Sequence, residues 1–125
     1  DFMLPDAPVG VGIVRCGQAP QITALERHVS REELLWTTTR DVVMAVDLPV
    51  RLGDALARPN IETTRVFRIK AGQAVIIARG AWHSPAFAVQ GEAEYFFLVE
   101  QKADLVDQDA QPWIDFAGGE TLEIG

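Results

Sequence analysis

Between Leu48 and Glu92 turn signals recur at intervals of about ten residues: Leu48-Pro49, Arg58-Pro59-Asn60, Ala71-Gly72, Arg79-Gly80 and Gln90-Gly91-Glu92. Segments cut this short leave little room for ordinary helices, but they suit strands. The runs between and beside the turns fit that reading: residues 22–28 (ITALERH), 42–46 (VVMAV), 66–70 (VFRIK), 73–78 (QAVIIA) and 95–100 (YFFLVE). An antiparallel all-β barrel or sandwich is predicted. The best helical candidate is residues 30–35 (SREELL), where Ser30 and Glu33 have the spacing of a capping box. Residues 102–111 (KADLVDQDAQ) read as a solvated acidic loop, and the aromatics of residues 112–116 are expected to pack back on the strands.

Composition bounds the partners. With 125 residues, 48% hydrophobic and 23% charged, the chain is predicted to form one globular domain over residues 1–125. It begins with Asp rather than Met, which leaves room for a preceding segment. A net charge of -7 without a basic cluster disfavours nucleic acid, although one or two arginines can still make a pocket that accepts a small carboxylate. Cys16 is the only cysteine, so an intrachain disulfide and a thiolate-rich metal site are both excluded, and a reducing cytoplasm is the expected compartment. No apolar run approaches the roughly 20 residues of a membrane span. Cys16 has no histidine nearby in sequence and is not expected to act as a nucleophile.

Four residues could carry chemistry: Glu26, His28, Glu33 and His83. Alternation along a strand puts Glu26 and His28 on one side, Glu33 follows, and His83 comes from a distant hairpin. A mixed imidazole and carboxylate set suits a divalent Mn, Fe, Ni or Zn ion. Each residue also has a plainer reading. His83 alone fits a buried imidazole satisfied by a carbonyl, Glu26 and His28 fit a pair on a wet face, and Glu33 fits the capping box. Trp82 reads as core, Arg27 alternates away from His28 towards the surface, and Arg79 fits either solvent or a substrate clamp.

Two motifs resemble those of small cupins. Glu26-x-His28-x4-Glu33 parallels a first motif of the form His-x-His, three or four residues, then Glu. Residues 78–83 parallel a second, in which a Pro-x-Gly-like turn leads to His. Leu25-Glu26-Arg27-His28, followed by residues 77–85 (IARGAWHSP), is similar in more detail to the ureidoglycolate lyases, whose second segment reads Tyr-His-Arg-x-x-Trp-His-His-Pro. Ala78 and Ser84 replace histidines of that family, and Glu33 stands where it has glutamine.

The resemblance runs over about residues 22–100 and implies a single-domain cupin, a double-stranded β-helix or jelly-roll barrel. It also implies a homodimer and cleavage of ureidoglycolate to glyoxylate and urea. His28 and His83 would then transfer protons with help from Glu26, Arg79 or Arg27 would anchor the carboxylate, and Trp82 would form a pocket wall. Two other readings stand beside it. Glu33 would complete a metal-dependent cupin site acting on a sugar or small acid, whereas Ala78 and Ser84 would suit a non-catalytic binding cupin.

Overall fold

The computed structural model describes residues 8–100 and 110–124. It contains twelve strands and, among the described residues, no helix. They are β1 (Val9–Cys16), β2 (Gln21–Ile22), β3 (Ala24–His28), β4 (Glu33–Thr37), β5 (Val42–Asp47), β6 (Arg65–Ile69), β7 (Ala74–Ile77), β8 (Trp82–His83), β9 (Phe87–Ala88), β10 (Ala93–Glu100), β11 (Ala110–Asp115) and β12 (Leu122–Glu123). A four-stranded sheet runs β1-β10-β4-β7, and a six-stranded sheet runs β11-β3-β8-β5-β6 with β9 beside β5. β2 and β12 form a small separate pair. Of the barrel or sandwich expected, the strands form a jelly-roll sandwich not closed into a barrel, because the ladders leave β1, β7, β11 and β6 as unjoined edges.

Alternation decides what each face does. Register places Val14, Leu35, Phe97, Tyr95, Val75 and Ile77 on the inner face of the four-stranded sheet. Leu35, Tyr95 and Ile77 cluster there with Val42, Met44 and Ile69 of the other sheet. A second cluster, Ile22, Leu25, Ala45, Ala57, Trp82 and Phe116, covers the far face of the six-stranded sheet. Full burial of each such large side chain contributes about 1.5–3 kcal/mol, so Leu25 and Trp82 anchor the far face of β3 and β8 and leave the inward face to Glu26, His28 and His83.

Three expectations about local structure are corrected. The helix expected at residues 30–35 is absent, because Glu33–Thr37 is a strand hydrogen-bonded between β10 and β7. Two ladders outweigh the one or two bonds that a capped turn offers. Arg27 is fully buried rather than on the surface, since the loop after β5 covers the face to which it alternates. Of the aromatics in residues 112–116, Phe116 is buried as expected, but Trp113 is 52% exposed. Of the acidic loop, residues 102–109 lie outside the described residues, and Ala110 already belongs to β11.

Candidate functional site

The two sequence motifs meet because β3 and β8 are neighbours, with Glu26 and His83 directly opposite in an antiparallel pair. Glu26 and His28 then share the inward side of β3, and Glu33 at the start of β4 projects from the facing sheet. The turn before β8 is tied to the first motif by a hydrogen bond from the Gly80 amide to the His28 carbonyl at 2.7 Å. Gly80 has φ +77°, and an added Cβ would lie 2.1 Å from the Leu52 side chain. Only glycine closes this turn without strain.

Glu26, His28, Glu33 and His83 therefore border one cavity of about 280 Å³ between the sheets, together with Arg31, Tyr95 and Trp113. The His28 and His83 rings lie 5.7 Å apart. His83 Nε2 is 3.6 Å from both Glu26 Oε1 and Glu33 Oε2, and His28 Nε2 is 3.9 Å from Glu33 Oε2. Two roomier hollows lie elsewhere, one of about 550 Å³ by Arg15 and Arg40 and one of about 360 Å³ lined mainly by aliphatic side chains and Phe67. Neither has a histidine in its wall.

Burial and mutual charge set the protonation of this cluster. Burial alone would push the His83 imidazole down, but its contact with Glu26, the Ala81 carbonyl and the nearby Glu33 hold it above its ordinary value. Burial would raise the Glu26 carboxyl, and His83, His28 and Arg31 outweigh it, so the net direction is down. For Glu33 burial wins, reinforced by Glu26, and its carboxyl is held up despite His83 and Arg31. The Tyr95 hydroxyl is pushed up to about 12, chiefly by burial, and stays protonated.

The residues also fit a divalent cation. Glu26, His28 and His83 each offer a donor atom within 4.8 Å of the others, and Glu33 reaches both imidazoles. Among the described residues His83 Nε2 is buried with no partner at hydrogen-bond distance, its two carboxylate neighbours standing at 3.6 Å, a state that a bound cation would relieve.

Other expected site residues lie elsewhere. Arg79 is exposed on the turn before β8 and is not part of the cavity wall. Trp82 faces the opposite side from His83, with the Arg27 guanidinium 4.4 Å above its ring. That guanidinium donates to the carbonyls of Val50, Arg51 and Asp54, so both residues brace a loop. Ser84 Oγ accepts from the Ala45 amide and donates to the Pro85 carbonyl, which commits its hydroxyl to the backbone.

Sequence reasoning missed Arg31, whose Nη2 donates to His28 Nδ1 at 3.2 Å and whose Nη1 donates to the Glu100 carbonyl. Its signal was the spacing from His28, which carries the chain across the end of β3. It also missed Trp113, with φ +52° beside a register shift between Gln111 and Ile114, a bulge that turns the indole to the cavity rim.

Comparison with known proteins agrees with this geometry. In structure the chain is similar to the Lactobacillus farciminis oxalate decarboxylase formate complex, with TM-score 0.53 and 16% identity over 76% of this chain and 25% of that one. It is also similar to a recombinant oxalate oxidase in complex with glycolate, with TM-score 0.53 and 16% identity over 74% and 42%. A third is the Bacillus subtilis oxalate decarboxylase with Mn(II) centres, with TM-score 0.55 and 11% identity over 79% and 23%. The chain thus spans less than half the length of these cupin-fold proteins, and the likeness establishes the cupin fold. No curated protein sequence matches the chain. The ureidoglycolate lyase family model matches residues 10–114, which takes in both motifs and nearly every strand, and the chain belongs to that family.

Proposed function

We propose that the protein is a lyase that cleaves the carbon–nitrogen bond of ureidoglycolate, releasing urea and leaving glyoxylate. The observation that carries this reading is the convergence of Glu26, His28 and His83, drawn from both family motifs, on one small polar cavity. The reaction needs a base for the hydroxyl proton, a proton for the departing nitrogen and a cation for the carboxylate. The imidazole and carboxylate cluster supplies the first two. For the third, Arg31 in the cavity wall supplies positive potential rather than a direct clamp, because its two Nη groups are held by His28 and the Glu100 carbonyl. The protein works in the reducing cytoplasm as a homodimer formed through the outer face of its four-stranded sheet.

A metal-dependent cupin reaction on a small acid is the second reading, favoured by the buried His83 Nε2, which has two carboxylates at 3.6 Å but, among the described residues, no hydrogen bond. Glu26, His28 and His83 would hold the ion with Glu33 beside it, and the ion would polarise a substrate oxygen as a Lewis acid. Turnover of ureidoglycolate by chelator-treated protein, lost in His28→Ala and His83→Ala variants that still melt cooperatively, is the expected result. Inactivity with and without added divalent metal overturns the lyase reading. Metal near one ion per chain by elemental analysis, absent from His83→Ala, moves the assignment to the second.

A further inference from the structure

The two imidazoles of the site are held in opposite tautomers by contacts on their outer sides. A guanidinium only donates, so the 3.2 Å contact from Arg31 Nη2 requires His28 Nδ1 to accept. The His28 ring proton then sits on Nε2, the nitrogen nearer Glu33. A carbonyl only accepts, so His83 Nδ1, 3.0 Å from the Ala81 oxygen, carries a proton. Its Nε2 is the one ring position left to exchange a proton, and it lies between Glu26 and Glu33, at 3.6 Å from each.

We propose that Arg31 is a positioning residue that locks His28 as a neutral Nε2–H donor, leaving His83 as the imidazole that carries the proton. The division of labour rests on the lyase reading; the lock itself does not. In the cleavage, His83 Nε2 removes the hydroxyl proton as the carbonyl of glyoxylate forms. The electron pair of the breaking carbon–nitrogen bond moves to nitrogen, which receives the same proton from His83. Hydroxyl and nitrogen sit on one carbon, so one imidazole serves both, and it ends as it began. Glu26 and Glu33 stabilise the transient imidazolium. His28 keeps its proton, because the imidazolate that would result is far too basic at neutral pH, and acts by donating a hydrogen bond to a substrate oxygen. A metal on His28 Nε2 would need that nitrogen bare, so the lock and ligation through it exclude each other.

The chain has two histidines, so nitrogen-15 labelling of histidine gives a two-ring spectrum, and His83→Gln assigns it. In chelator-treated wild-type protein His28 should show the Nε2–H tautomer, and His83 should carry a proton on Nδ1. Arg31→Met should release His28 into a mixture of tautomers and lower kcat on the order of 10- to 100-fold, as loss of a ring-orienting partner does elsewhere. Arg31→Lys, which still donates, should restore both. A proton on His28 Nδ1 in the wild type, or an unchanged His28 spectrum in folded Arg31→Met, overturns the proposal. The expected tautomers without ureidoglycolate turnover support the lock and remove the lyase reading alone.

Discussion

At the scale of single residues, bonding partners separate bracing groups from reacting ones, since Arg27 and His83 are both buried but only His83 turns a ring nitrogen to the cavity. Arg27 is fully buried and donates to three loop carbonyls, while its flat face rests on Trp82. Arg27→Met keeps the stem and loses the fork, which strands those carbonyls; a loss on the order of 2–4 kcal/mol of stability is expected in denaturant unfolding. Arg27→Lys should recover only part, because one ammonium cannot span the three oxygens. A change within about 0.5 kcal/mol for Arg27→Met would show the brace to be idle. His83 gives a pH signature. Its folded value lies above the ordinary 6.5, so the folded state binds the proton more tightly. The stability it contributes is fully present below about 6.5 and is lost as pH rises through the folded value. Glu33, also held up, acts in the same direction from a lower starting pH, whereas Glu26, held down, matters only in acid. Chelator-treated protein should therefore be less stable at pH 8 than at pH 6, and His83→Gln should flatten that slope in unfolding measured across the interval.

At the scale of elements, β1 shows how a strand can hide in a sequence. Val9, Val11 and Ile13 alternate with Gly10 and Gly12, so until Val14 the inward side lacks the apolar residues by which a strand is usually recognised. The glycine makes room for a ring: a Cβ at Gly12 would lie 2.2 Å from the ring of Phe97, the side chain opposite it on β10 and part of the cavity wall. Gly12→Val should force that ring inward, cost about 1–3 kcal/mol by overpacking and shrink the cavity; an unchanged melting temperature with undiminished ligand binding would contradict this. The runs around β5, β6, β7 and β10 were legible because period-two patterning and turn residues are local properties. So was the inward pairing of Glu26 with His28. β4 was not, since the capping-box spacing of Ser30 and Glu33 is a local signal and the ladders that override it come from β10 and β7. Arg79 and Trp82 each kept two readings for the same reason, and the structure places Arg79 in solvent and Trp82 in the core. Their motif was read correctly, but the direction of each side chain depends on a glycine turn and on what covers the far side of β8.

At the scale of the molecule, the four-stranded sheet is apolar on both faces, which a sheet with one side in water does not need to be. Register puts Val11, Ile13, Leu34, Trp36, Ile76, Phe96 and Leu98 together on its outer side. Trp36 stacks on Phe96 with centroids 5.3 Å apart, while Val11, Ile13 and Ile76 remain exposed. Four strands of four to eight residues, about 4.8 Å apart, give a flat footprint of roughly 400 Å², within the range where exposed patches on monomers tend to be functional. Under the proposed homodimer, the occupant is a second copy. Two chains of net charge -7 repel except across a surface without charge, and the charges on this face lie at its ends, where Arg15 pairs with Glu94 and Val9 stands opposite Glu100. Each subunit would then bury the back of the sheet that carries Glu33, and association would stiffen one wall of the cavity from outside. Sedimentation of the wild type should give a dimer, and Trp36→Glu, which places a charge at the centre of the face, should give a folded monomer with weaker ligand-dependent stabilisation. A wild-type monomer at micromolar concentration would remove this interface, and a Trp36→Glu dimer would move it to another surface.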